Sequence, residues 1–175
     1  GGMNGGRAGL GVFMKAIVVV DRNWGIGKDN SLLAHLPGDL KYFREKTKGK
    51  VIVIGRQTLE SFPGGKPLPE RTNIVLTTNE DYPAACEVCC SKEHLFQCLE
   101  GYDPEDVFIA GGEQIYREFL PYCDTVYVTK IDAVFPADRY FADLDKDREW
   151  EPVFQSDPVT EKGLSYRFTE YKRVP

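Results

Sequence analysis

The sequence predicts one α/β domain with a mixed, mostly parallel central sheet, helices on both faces and an antiparallel C-terminal edge strand. Three observations point there. Apolar runs without alternation recur along the chain, as in strands covered on both faces. Stretches with helical start signals or helical spacing separate them. Near the end, Tyr166-Arg167-Phe168-Thr169-Glu170-Tyr171 alternates instead, which suits an antiparallel strand at a border.

The strand candidates, in order, are Ala16-Ile17-Val18-Val19-Val20, Val51-Ile52-Val53-Ile54, Asn73-Ile74-Val75-Leu76-Thr77, a short one ending at Cys90, Val107-Phe108-Ile109-Ala110 and Thr125-Val126-Tyr127-Val128-Thr129. Helices are expected at 37–47, 57–62, 91–100 and 112–119. Two connections are irregular. Residues 21–36 join the first strand to the first helix and exceed the roughly two to six residues usual for such a link, so a ligand-contacting or lid role is expected of their Gly25-Ile26-Gly27. The other, 133–148, is acidic and lacks regular pattern.

The 175 residues suffice for one sizeable core, and a net charge of −5 leaves no basic footprint for nucleic acid. No run approaches the roughly 18 apolar residues of a membrane span. Residues 1–13 are glycine-rich without the apolar centre of a secretion signal. They are read as a disordered extension ahead of a domain spanning 14–175, with Met14 a natural start. Five cysteines, an odd number without a framework, indicate reduced thiols in the cytoplasm. Cys86-x-x-Cys89 lacks the second pair of a zinc site and both histidines lie elsewhere, so these small thiols are assigned to core packing, and no metal is expected.

The first helix opens Leu36-Pro37-Gly38-Asp39-Leu40-Lys41-Tyr42-Phe43, with Pro37 at its first position. Leu36, Leu40 and Phe43 follow the spacing of a buried face, and Asp39 lies within it. Asp39 is therefore either a buried functional acid or a first-turn answer to the helix dipole. Two strands end in glycine before a helix, at Gly55-Arg56-Gln57-Thr58 and Gly111-Gly112-Glu113-Gln114. Glycine there lets backbone approach a phosphate, which helix N–H groups and Arg56 can hold, although such glycines are also common as plain turns. Neither junction is the Gly-x-Gly-x-x-Gly fingerprint, and no P-loop is present.

In order and spacing the motifs resemble those of dihydrofolate reductases, from Met14 to the C-terminus. They run Ile26-Gly27, Leu36-Pro37-x-Asp39-x-x-x-Phe43, Gly55-Arg56-x-Thr58-x-x-Ser61, Pro67-Leu68-x-x-Arg71, Gly111-Gly112-x-x-x-Tyr116 and Thr129-x-Ile131-Asp132. The resemblance implies hydride transfer from NADPH to the pteridine of dihydrofolate by a monomer. It makes Asp39 the catalytic acid that holds the pteridine, with Thr129 behind it. Ile17, Val18 and Val19 would wall the ring, Leu40, Phe43, Phe62 and Leu68 would enclose it, and Ala110 and Tyr116 would border it. Arg71 would pair with the glutamate tail. The cofactor would meet Val19, Ile26 and Gly27 at its nicotinamide end. Gly55, Arg56, Gln57, Thr58, Thr77 and Thr78 would hold its ribose and phosphates together with Gly111, Gly112, Glu113, Gln114, Ile115 and Tyr116.

Three positions depart from that family pattern: Leu33-Ala34 stands where Pro-Trp is usual, Ala110 where a branched residue is common, and Gln114 where an arginine can grip the 2′-phosphate. Rival readings are a related-fold pyrimidine reductase of riboflavin synthesis, against which Asp39 and Arg71 argue, and a non-catalytic nucleotide-binding or thiol-metal module.

Overall fold

The computed structural model describes residues 13–28, 31–32 (backbone only) and 36–175. Leu33-Ala34 and residues 1–12 of the expected extension lie outside the described residues. The strands are β1 (Met14–Val20), β2 (Gly25–Lys28), β3 (Ser31–Leu32), β4 (Val51–Gly55), β5 (Thr72–Leu76), β6 (Glu87–Cys89), β7 (Val107–Ile109), β8 (Cys123–Ile131), β9 (Arg139–Tyr140), β10 (Trp150–Gln155), β11 (Val159–Glu161) and β12 (Leu164–Arg173). The α-helices are α1 (Pro37–Thr47), α2 (Arg56–Ser61), α3 (Lys92–Leu99) and α4 (Glu113–Phe119).

Nine strands form the main sheet in the order β10-β12-β8-β1-β7-β4-β5-β6, with β11 also on β12. From β8 to β6 all neighbours are parallel. The last strand is antiparallel to β8, as its alternation predicts, but it is not the edge: β10 and β11 both pair with its far side. Those two strands escape sequence reading because they are mostly exposed and carry no apolar run.

The period of two along β1 sends its side chains into separate cores on the two faces of the sheet. Met14, Ala16, Val18 and Val20 pack with Leu95 and Leu99 of α3 and with Ile115 and Phe119 of α4. Ile17 packs on the opposite face with Leu59 of α2, against Tyr42 and Phe43 of α1. Helices therefore cover both faces, which is why these strands read as unbroken apolar runs.

The two irregular connections meet. Carboxylate Asp21, buried just after β1, accepts the Asn23 and Gly25 N–H groups on Oδ1 at 2.8 and 2.9 Å, and the Phe135 N–H on Oδ2 at 2.9 Å. Across this joint β9 adds to β2, which also pairs with β3, giving a small second sheet in which Arg139 stands opposite Gly27.

Candidate active site

Helix α1 begins with Pro37 at its first turn, and Leu36 offers no side-chain cap. Glu161 of β11 supplies one from 123 residues away: its Oε1 accepts the Gly38 N–H and also the Tyr166 hydroxyl, both at 2.8 Å. One residue on, Asp39 is only 9% exposed. Its Oδ1 accepts a 2.6 Å hydrogen bond from Thr129 Oγ1 on β8. Burial pushes its pKa from the ordinary 3.8 up to about 6, the Thr129 hydrogen bond pulls the other way, and the negative charge of Glu161 adds to the rise. Such a carboxyl exchanges protons near neutrality and can hold paired N–H donors of a flat, cationic ring.

The buried face of α1 is centred on Asp39, Phe43 and Thr47, so Leu40 falls at its margin and is 52% exposed rather than buried in the stripe expected for it. Tyr42 takes the packing instead, stacked on Phe168 with ring centres 4.0 Å apart. Ile17, Phe43, Phe62, Leu68 and Ala110 share one apolar cluster on this face of the sheet. Val19 belongs beside Leu36 and Ile131. Val18 is a correction: the alternation of β1 turns its side chain into the opposite core, so it cannot wall a ring held by Asp39. Arg71 lies near the end of α1, with Nε donating to Pro69 O at 2.9 Å, Nη1 to Thr47 Oγ1 at 3.3 Å, and its guanidinium 5.9 Å above the Phe43 ring.

Tyr116 is buried and its hydroxyl donates to Ile17 O at 2.6 Å, tying α4 to β1. Around it the two glycine junctions are stitched together. Gly55 N–H donates to Gly111 O at 2.8 Å. Gly111 has φ +124°, a conformation side chains rarely adopt, and a Cβ there would stand 3.4 Å from Thr58 Oγ1 and 3.5 Å from the Tyr116 hydroxyl.

These junctions open on a cavity of about 630 Å³. Its lining brings together Ile26 and Gly27, the junction Gly55 to Thr58, Thr77 and Thr78, and the junction residues Gly112 to Ile115. Ser61, Leu76, Arg117 and Arg139 complete the lining, and sequence reading missed them. Arg139 carries no local signal, because it reaches the cavity only through the pairing of β9 with β2. Arg56 is held by Glu60 at 3.1 and 3.2 Å, an exposed pair that a phosphate can displace. A larger cavity of about 850 Å³ lies among α4, Trp150 and Arg173; it takes in Glu113 and Tyr116, and no glycine of either junction lines it.

The family model described as dihydrofolate reductase matches residues 13–173. The dihydrofolate reductase of Bacillus subtilis (strain 168) is 39% identical over 160 residues, covering 90% of this chain and 92% of its own length. That of Staphylococcus haemolyticus is 39% identical over 166 residues, covering 90% and 94%. Among solved structures, the dihydrofolate reductase from Enterococcus faecalis complexed with NADP(H) and RAB-propyl aligns with a TM-score of 0.83 at 36% identity, over 93% of this chain and 97% of that one.

Proposed function

The chain belongs to the dihydrofolate reductase family, and from that premise we propose how its own residues reduce 7,8-dihydrofolate to 5,6,7,8-tetrahydrofolate with NADPH. It is an NADPH-dependent oxidoreductase acting on a small-molecule substrate; the pyrimidine-reductase and non-catalytic readings are not favoured.

The observation that carries the residue roles is the buried Asp39–Thr129 pair; on the strand next to Thr129, Ile17 O is held by Tyr116, and Tyr116 lies against Gly111, whose carbonyl accepts from the cavity-lining Gly55 N–H. That cavity suits a dinucleotide: two strand–glycine–helix junctions, threonine hydroxyls and Arg56 face it, and among the described residues no acid other than Glu113 lines it. NADPH supplies the hydride. Asp39 binds the amino and ring N–H groups of the pteridine and favours its protonated form, and Thr129 fixes the carboxylate's orientation. Ile17, Val19, Phe43, Phe62, Leu68 and Ala110 keep water from the ring, and Leu40 closes over its open side. Arg71 holds the tail carboxylate by a forked contact. Ile26 and Gly27 meet the nicotinamide end, and Arg56, Thr77 and Thr78 meet the 2′-phosphate, with Arg139 adding positive charge where Gln114 replaces an arginine.

Residues 14–175 carry the entire site in this reading, which supports a functional monomer. Five unbridged cysteines support a cytoplasmic setting, and the net charge of −5 weighs against nucleic acid. No helix among the described residues is long and apolar enough to cross a membrane. Loss of NADPH absorbance on mixing with dihydrofolate tests the activity, and Asp39→Asn tests the site. Full turnover in that variant would remove Asp39 from the mechanism.

A further inference from the structure

Away from the folate and cofactor groups, the fold gathers three soft donors at the border of the sheet. Cys89 ends β6, the last strand of the sheet, and its side chain is fully buried. His94 and Cys98 sit four residues apart on α3, and so on one face of that helix. One ligand atom from each of the three lies within 4.8 Å of the others. The sulfurs are 3.1 Å apart, Cys89 Sγ donating to Cys98 Sγ, and Cys98 Sγ donates in turn to Glu87 Oε2 at 3.2 Å. Ser91 caps α3 by accepting the His94 N–H at 3.0 Å, which fixes the turn carrying the imidazole.

We propose that Cys89, His94 and Cys98 form a binding site for one zinc-class divalent cation, with water as the fourth ligand. Two thiolates and an imidazole are the donor types such a cation selects, and three protein ligands plus water is a common tetrahedral set. Metal–sulfur bonds of about 2.3 Å in a tetrahedron hold two sulfurs roughly 3.8 Å apart. The pair therefore opens by some tenths of an ångström, a small movement for a short helix against an edge strand.

Each thiol gives up its proton as its metal–sulfur bond forms, so two protons leave for every cation bound. Without metal the two thiols are hydrogen-bonded as a pair, with Glu87 accepting from Cys98. Glu87 Oε2, which accepts the Cys98 S–H in the metal-free protein, relays that proton to solvent and gives up this hydrogen bond when the thiolate binds metal. The Cys86-x-x-Cys89 spacing is not this site: Cys86 packs in the core on the other face of the sheet.

The test uses reduced, chelator-treated protein titrated with Co²⁺ and then Zn²⁺. One equivalent of Co²⁺ should develop a sulfur-to-metal charge-transfer band and the visible bands of a tetrahedral site. Zn²⁺ should displace it, and Zn²⁺ binding to the metal-free protein should release two protons. Cys98→Ser and His94→Ala, both at accessible positions, should weaken Zn²⁺ binding by at least about tenfold with the fold intact by circular dichroism, while Cys86→Ser should leave it unchanged. Wild-type affinity in both ligand variants overturns the site. So does Co²⁺ uptake without a charge-transfer band, or reduced protein that takes no metal yet forms a Cys89–Cys98 disulfide under mild oxidation.

Discussion

Thr129 Oγ1 donates to Asp39 Oδ1 at 2.6 Å, joining a central strand of the sheet to the first turn of a helix 90 residues earlier in the chain. The bond turns a local ambiguity into a defined group. Asp39 is not an exposed acid answering a helix dipole, because its carboxylate is buried and oriented by a hydroxyl from the sheet.

Asp39→Asn keeps the shape and can still accept from Thr129, but it cannot favour a cationic pteridine. Turnover at neutral pH should fall by the roughly 10² to 10⁴-fold typical of lost acid–base catalysis. The deficit should shrink at low pH, where solvent protonates the substrate, and NADPH binding measured by fluorescence should survive.

The same substitution should stabilise the ligand-free protein. Asp39's pKa is raised from 3.8 to about 6 on folding, so its contribution is fully present below about pH 4 and is lost as pH rises through 6. At pH 7 the ionised, buried carboxylate costs on the order of 2–3 kcal/mol. Denaturant melts should show Asp39→Asn more stable than wild type at pH 7 and the gap closing by pH 4.

Glu161→Gln preserves an oxygen acceptor for the Gly38 N–H while removing the charge that helps to raise Asp39's pKa. The acidic limb of the ligand-free enzyme's titration should move to lower pH with little loss of stability. Glu161→Ala should in addition lose the cap, costing about 1 kcal/mol in thermal unfolding.

Arg71→Ala should raise KM for dihydrofolate and leave a tail-less dihydropterin almost unaffected, since the guanidinium lies beyond Phe43 at the outer end of α1. Equal losses on both substrates would contradict the tail contact.

Arg56→Ala should weaken NADPH about ten- to a hundredfold and spare NADH, since a hydrogen bond to a charged group contributes roughly 1.5–3 kcal/mol. Binding titrations of the two dinucleotides give the ratio directly.

By itself the sequence determined the parallel core of the sheet, the start of α1 and the two glycine junctions. Each is written in a few adjacent residues: unbroken apolar runs, Pro37 at a first turn, glycine where a strand meets a helix. Of the cavity lining, Gly55 to Thr58 and Gly112 to Gln114 had a local signal, glycine where a strand runs into a helix, and Ile26 and Gly27 had one in the paired glycines of a long loop, whereas Thr77 and Thr78 came only from the family resemblance. What only the tertiary structure decided are relationships across large sequence separations or between faces. Glu161 caps α1 and Arg139 reaches the cavity through pairings that no local period encodes. β10 and β11 cover the flank of β12 with exposed residues, so hydrophobicity could not announce them. Val18 and Leu40 were misplaced because an apolar residue in a run or stripe states only that it is apolar; which core it enters depends on the strand's alternation and the helix's rotation against its neighbours. Cys89, His94 and Cys98 meet because β6 and α3 pack together, and that packing, rather than the Cys-x-x-Cys spacing, chooses which thiols face each other.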